Sequence, residues 1–137
     1  MDDKEILYSG KYINLVKSGT WEFVERANSM EAAIIVPVFI DDNSDLNMII
    51  IREYRVPLEG YIYGLPAGLV GDHGVEDPKD AASRELLEET GYESKRLRYL
   101  TSGPATSGLS NEMLHFYLAD RLTNITDGVG VGDEDIT

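Results

Sequence analysis

The densest chemistry in the chain lies in Arg84-Glu85-Leu86-Leu87-Glu88-Glu89-Thr90-Gly91-Tyr92. If this stretch is helical, successive residues turn by about 100°. Glu85, Glu88 and Glu89 then share one continuous arc with Arg84 beside Glu88, while Ala82 and Leu86 point toward a flank and Leu87 lies nearly opposite. Like charges at these spacings oppose helix formation, and a helix selected only for solubility more often alternates its signs. Three carboxylates on one face make a hard oxygen site suited to magnesium or manganese rather than zinc. The plainer alternative, a solvated acidic face, is the usual fate of an arbitrary glutamate-rich helix.

The flanking residues define the element that carries this face. Asp77 is a good N-cap, Pro78 occupies the first helical position, where its missing N–H costs nothing, and Asp80 favours the positive end of the helix dipole. Gly91 ends the helix as a left-handed cap. Upstream, 6–16 and 20–26 read as strands separated by Lys17-Ser18-Gly19, and 32–40 as a buried strand. Pro37 within that run implies an edge or a bulge. Asp41-Asp42-Asn43-Ser44-Asp45 is turn chemistry, and 46–53 returns as another strand. Residues 60–74 are glycine-rich, 97–102 and 113–119 look like further strands, and the acidic, glycine-rich tail 123–137 reads as a loop. One helix among several strands gives an α+β domain.

Composition bounds what such a domain can do. The 137 residues suffice for one domain with a substantial core. Without cysteine there is neither a disulfide framework nor a thiolate metal site. No apolar run approaches a membrane span and the first residues do not resemble a signal peptide, so the cytoplasm is the expected compartment, with no membrane partner. A formal net charge of −13, from 25 acidic and 12 basic residues, repels phosphate backbones and argues against nucleic-acid binding. Small anionic substrates would need locally placed arginines or bound cations.

A longer pattern surrounds the acidic face. Seven residues separate Glu76 from Arg84, and a glycine-rich turn precedes Glu76. Glu76, Arg84, Glu85, Leu86, Glu88, Glu89 and Gly91 stand at the spacing of Gly-x5-Glu-x7-Arg-Glu-U-x-Glu-Glu-x-Gly-U, where U is apolar. This resembles the signature box of the Nudix hydrolases. Tyr92 fills the last apolar place imperfectly, and Val70 stands where the box has its glycine; Gly68, two residues earlier, implies a loop lengthened by two. Trp21-Glu22-Phe23-Val24-Glu25-Arg26, Arg52-Glu53-Tyr54-Arg55 and Leu65-Pro66-Ala67-Gly68 are similar to segments of the ADP-ribose pyrophosphatase branch.

The resemblance implies a Nudix-type α/β/α sandwich around a mixed sheet, as a single domain over residues 1–137. It assigns the backbone carbonyl of Ala67 and the carboxylates of Glu85 and Glu89 to a metal, with Glu88 close by as a further ligand or catalytic group. Arg26, Arg55 and Trp21 become substrate-binding candidates, although the two arginines also read as ordinary strand-end cations. Gly68, Glu76 and Gly91 are the structural members of the box. Arg84 pairs with a neighbouring glutamate and fixes its rotamer. Glu134, in the acidic segment Gly132-Asp133-Glu134-Asp135-Ile136, and Glu112 are candidates for the base, while His73 and His115 read as a loop and a strand histidine. Family members usually continue into a C-terminal helix, which is apparently absent here. Dimers are common in the branch, so a homodimer is expected, with strands 1–26 at its interface.

The implied reaction is magnesium-dependent hydrolysis, with manganese as a possible substitute, of the pyrophosphate bond of ADP-ribose or a related nucleoside diphosphate sugar. The box reads the pyrophosphate and not what is attached, so nucleoside triphosphates and dinucleotides remain open as substrates. A noncatalytic nucleotide-binding module is the third reading.

Overall fold

The computed structural model describes residues 3–28, 31–71, 74–128, 130 and 135–137. Its first three strands, β1 (Glu5–Ser9), β2 (Ile13–Ser18) and β3 (Trp21–Arg26), form an antiparallel sheet in the order β1-β2-β3. The strand expected over 6–16 is therefore two. The chain reverses at Gly10, whose N–H donates to the Ile13 carbonyl at 2.8 Å. A Cβ at Gly10 would lie 2.7 Å from that oxygen, so only glycine fits this turn without a shift.

The larger sheet is mixed. It contains β4 (Glu31–Ile40), β5 (Leu46–Met48), β8 (Ala67–Leu69), β9 (Tyr92–Pro104) and β10 (Met113–Asn124), in the order β5-β4-β10-β9 with β8 also on β4. β4 and β10 run parallel; the other pairs are antiparallel. β4 is thus interior, contrary to the edge or bulge expected from Pro37. Pro37 is fully buried, and its carbonyl accepts from the Ile49 N–H at 2.9 Å. Its missing N–H faces the same side, in the gap where β8 has left β4 at Ile34 and β5 has yet to join at Val38. A change of partner, rather than an edge, accommodates the proline.

The same exchange divides the strand expected over 46–53. β5 ends at Met48, and β6 (Ile51–Arg55) pairs instead with β7 (Gly60–Gly64) in a separate hairpin. A 3₁₀ turn at Val56–Leu58 joins the two, with Glu59 left-handed at φ 50°. β9 and β10 extend beyond the expected 97–102 and 113–119. The expected tail loop is structured at both ends, since β10 takes Thr123 and Asn124, and Ile136 is buried in a bridge to Glu53.

The helix α1 (Pro78–Thr90) starts and stops as its sequence dictates. The Asp77 side chain accepts from the Asp80 N–H at 2.8 Å, and Gly91 caps the other end at φ 77°. Ala81, Ala82 and Leu86 pack with Val70 on Ala33, Ile35, Tyr117 and Ala119. Ala82 and Leu86 are therefore core-facing rather than flanking. Burying a leucine side chain completely, as Leu86 is, stabilises the fold by roughly 1.5–3 kcal/mol. Among the described residues α1 is the one α-helix, so it supplies a single helical layer of the expected sandwich, and no helix is long and apolar enough to cross a membrane.

Candidate active site

The core stripe of α1 fixes where its acids go. Glu85 and Glu89, one turn apart on the edge of that stripe, are only 6% and 4% exposed. β8 lies against them. The Ala67 N–H donates to Glu89 Oε2 at 3.0 Å, and a Cβ on Gly68 would fall 2.0 Å from Glu85 Cδ. Gly68 therefore gives the glutamate room; its φ lies outside the left-handed region.

Arg84 is the organiser of this face. It donates through Nη2 and Nε to both oxygens of Glu76, at 2.7 and 3.2 Å, and through Nη1 to Glu85 Oε1 at 2.7 Å and Glu88 Oε2 at 3.2 Å. Nη2 also reaches the Leu69 carbonyl at 3.2 Å. The bond to Glu76 and the charge of Glu85 drive its pKa still higher, against the opposing effect of burial. A planar fork with five donors suits this task in a way a lysine does not. Glu76 Oε1 additionally accepts from the Gly71 N–H at 3.1 Å. The two-residue lengthening of the loop thus leaves Glu76 attached to both the loop and Arg84.

A cavity of about 500 Å³ opens beside these groups. Ala67, Gly68, Glu85 and Glu89 line one part of it, and Arg26, Arg55, Glu53 and Glu112 another. Arg26, at the end of β3, donates through Nε to Glu112 Oε1 at 2.8 Å, and Arg55 pairs with Glu53. Glu112 is brought there by a loop bound to β3, where the Val24 N–H donates to the Leu109 carbonyl at 2.8 Å. Of the expected site residues, Ala67, Glu85, Glu89, Arg26, Arg55 and Glu112 therefore converge on one cavity.

Others are placed elsewhere. Glu88 turns to Arg84 and does not line the cavity, so the expected arc of three acids delivers two. Trp21 is 63% exposed and lines a separate depression with Ser107, Gly108 and Asn111. Glu134 and His73 lie outside the described residues. His115 is on β10, where its ring bonds Ser102 Oγ and Glu31 Oε1.

Sequence reasoning did not single out Glu53, Asp135 or Ile136 as wall residues. The period of two in a strand puts Glu53 on the same face as Arg55, which is a usable signal. No local signal marks Asp135 and Ile136. They reach the cavity because Arg52 and Thr137 exchange backbone hydrogen bonds at 2.8 and 2.9 Å, laying the chain end on β6. The Tyr61 hydroxyl donates to Asp135 Oδ2 at 2.6 Å, and this bond raises the Tyr61 pKa.

Among the described residues no three histidine, cysteine or acidic side chains are grouped so as to hold a metal alone. Magnesium does not require that. It takes one or two carboxylates, keeps several waters and shares substrate phosphate oxygens. Two buried carboxylates beside Ala67, with Gly68 leaving the space, fit such an ion.

The Nudix domain family matches residues 30–135. The methanol dehydrogenase activator of Bacillus methanolicus is 37% identical over 103 residues, covering 75% of this chain and 52% of the relative. The ADP-ribose pyrophosphatase of Bacillus subtilis is 34% identical over 125 residues, covering 88% of this chain and 65% of the relative. The chain thus spans about half to two-thirds of the length of these curated relatives. The crystal structure of an ADP compounds hydrolase superposes with a TM-score of 0.71 at 24% identity, covering 98% of this chain and 74% of that one, and so shares the fold. From the box on α1 to the extent of the family match, this chain belongs to the Nudix family.

Proposed function

We propose that this protein hydrolyses the pyrophosphate bond of ADP-ribose or a related nucleoside diphosphate sugar, with magnesium as cofactor, giving a nucleoside monophosphate and a sugar phosphate. The observation that carries the reading is one cavity holding two buried carboxylates a helical turn apart and two arginines from other strands. The likeness to a protein named ADP-ribose pyrophosphatase supports the choice of substrate.

The roles follow from placement. Glu85, Glu89 and the Ala67 carbonyl would hold magnesium, for which manganese could substitute. Bound there, the ion supplies neutralisation of phosphate charge and a more acidic water. Arg26 and Arg55 bind the diphosphate, each through donors beyond the one it gives to its glutamate. Arg84 keeps Glu85 in a single rotamer. Glu112, which lines the cavity, is the described candidate for accepting the proton of the attacking water.

Incubation with magnesium and a panel of ADP-ribose, nucleotide sugars, dinucleotides and triphosphates tests the reading. Release of AMP from ADP-ribose is expected. Exclusive turnover of triphosphates, or nucleotide binding without turnover by folded protein, would overturn it. The same reading takes residues 1–137 as one domain and places β1–β3 at a homodimer interface, supported by the exposed Ile6, Tyr8, Leu15 and Trp21. Sedimentation velocity should show a dimer, and a monomer at high concentration would refute this arrangement.

A further inference from the structure

We propose that Asp135, backed by Glu53 and Glu112, makes the cavity a charge filter that accepts a diphosphate bearing a neutral, hydroxyl-rich substituent and rejects one extended by a third phosphate. This rests on the pyrophosphatase reading above and adds the residues that choose the substrate class.

The cavity wall carries five carboxylates, Glu53, Glu85, Glu89, Glu112 and Asp135, against the two guanidinium groups of Arg26 and Arg55. Both guanidinium groups are already bonded to wall carboxylates, Arg26 to Glu112 and Arg55 to Glu53. Glu85 and Glu89 are the carboxylates that would hold the cation. Asp135 differs from Glu53 and Glu112, because its side-chain hydrogen bond comes from a neutral hydroxyl, that of Tyr61 at 2.6 Å, rather than from a guanidinium. A phenol is protonated at neutral pH, so the hydroxyl orients the carboxylate without bringing a charge of its own, while the Arg52 guanidinium lies over the Tyr61 ring, 3.5 Å from its centre.

The position of Asp135 is set by backbone. The Tyr54 N–H donates to its carbonyl at 3.3 Å, and Arg52 and Thr137 pair just beyond. Ile136 is buried at 4% exposure and anchors the same segment. The negative charge is thus fixed in the wall.

A diphosphate esterified at both ends brings charge that the cation and the two arginines can balance. A terminal third phosphate adds about two further negative charges. Among the described wall residues it would meet carboxylates with no guanidinium beyond those of Arg26 and Arg55, since Arg52 stacks on the Tyr61 ring and does not line the cavity. Like-charge juxtaposition across an interface is strongly unfavourable. A sugar brings hydroxyl donors instead, which a carboxylate can accept.

Three proteins test the filter: wild type, Asp135→Asn and Tyr61→Phe. For each, kcat/KM with magnesium and binding by calorimetry are measured for ADP-ribose and for ATP. In Asp135→Asn the preference for ADP-ribose over ATP should fall about tenfold. Tyr61→Phe removes the hydrogen bond to Asp135 but keeps its charge, and should hold the preference within about twofold of wild type. An unchanged preference in Asp135→Asn, or an equal loss in both variants, overturns the filter. Absence of hydrolysis with the binding preference still responding to Asp135→Asn removes the pyrophosphatase reading and leaves the filter standing. A wild type that binds neither nucleotide overturns both.

Discussion

Gly68 and Glu85 show how closely the site is packed at the level of single atoms. Gly68 stands two residues before the place the box reserves for glycine, yet it does a glycine's work, because a Cβ there would lie 2.1 Å from Glu85 Oε1. The contact is with a buried carboxylate held by Arg84, so relief by rotation would break the 2.7 Å bond from Nη1. Gly68→Ala should therefore displace Glu85 and lower turnover by orders of magnitude. Far-ultraviolet circular dichroism should remain native, since β8 needs no special φ at this residue. Near-normal activity in this variant would show that the position of Glu85 is immaterial to the reaction. The acidic arc was legible from the sequence, but its division was not. Whether Glu88 joins the cavity depends on where the Arg84 guanidinium lies, and that is fixed by Glu76 and the Leu69 carbonyl on the preceding loop.

At the scale of elements, α1 is the part whose limits rest on two local contacts. At its C-terminal end Gly91 has φ 77°, and an added Cβ would sit 1.9 Å from the Thr126 carbonyl oxygen. That carbonyl belongs to backbone tied to Gly91, whose own carbonyl accepts from the N–H groups of Ile125 and Thr126 at 2.7 and 3.1 Å. Gly91→Ala combines left-handed strain with a backbone clash and should destabilise the protein by more than the roughly 1 kcal/mol expected of strain alone. Asp77→Ala, which removes only the N-cap acceptor, should cost about 1 kcal/mol. Denaturant unfolding of the two variants checks the order, and equal losses would mean that the contact with Thr126 carries no weight. The caps of α1 were readable because they depend on neighbours in sequence. The break at residues 49–50 was not, because Ile49 and Ile50 carry the apolar run straight through it, whereas the turn at residues 10–12 is marked in the sequence by Gly10. What ends β5 is a change of partner, with β6 pairing with β7 instead of following β5 along β4. The third strand-like piece of that hairpin, residues 135–137, was hidden for the same reason.

For the molecule as a whole, the controlling quantity is its formal charge of −13. Such a charge repels itself in the compact state, and any cation raises stability to some degree by screening. A bound ion acts differently. Whatever binds the folded chain and not the unfolded one stabilises it by RT ln(1 + [L]/Kd), about 2.7 kcal/mol at one hundred times Kd. Glu85 and Glu89 are gathered only when α1 packs against β8, so a site built from them exists only in the folded protein. Magnesium should therefore raise the melting temperature beyond the effect of sodium chloride at equal ionic strength. In Glu89→Gln the excess should vanish while the sodium effect persists, since the surface charge is nearly unchanged. Thermal melts of the two proteins in both salts make the comparison without any assay of turnover. Equal responses of wild type and variant to magnesium would assign its effect to screening and leave the buried carboxylates without a metal-binding role.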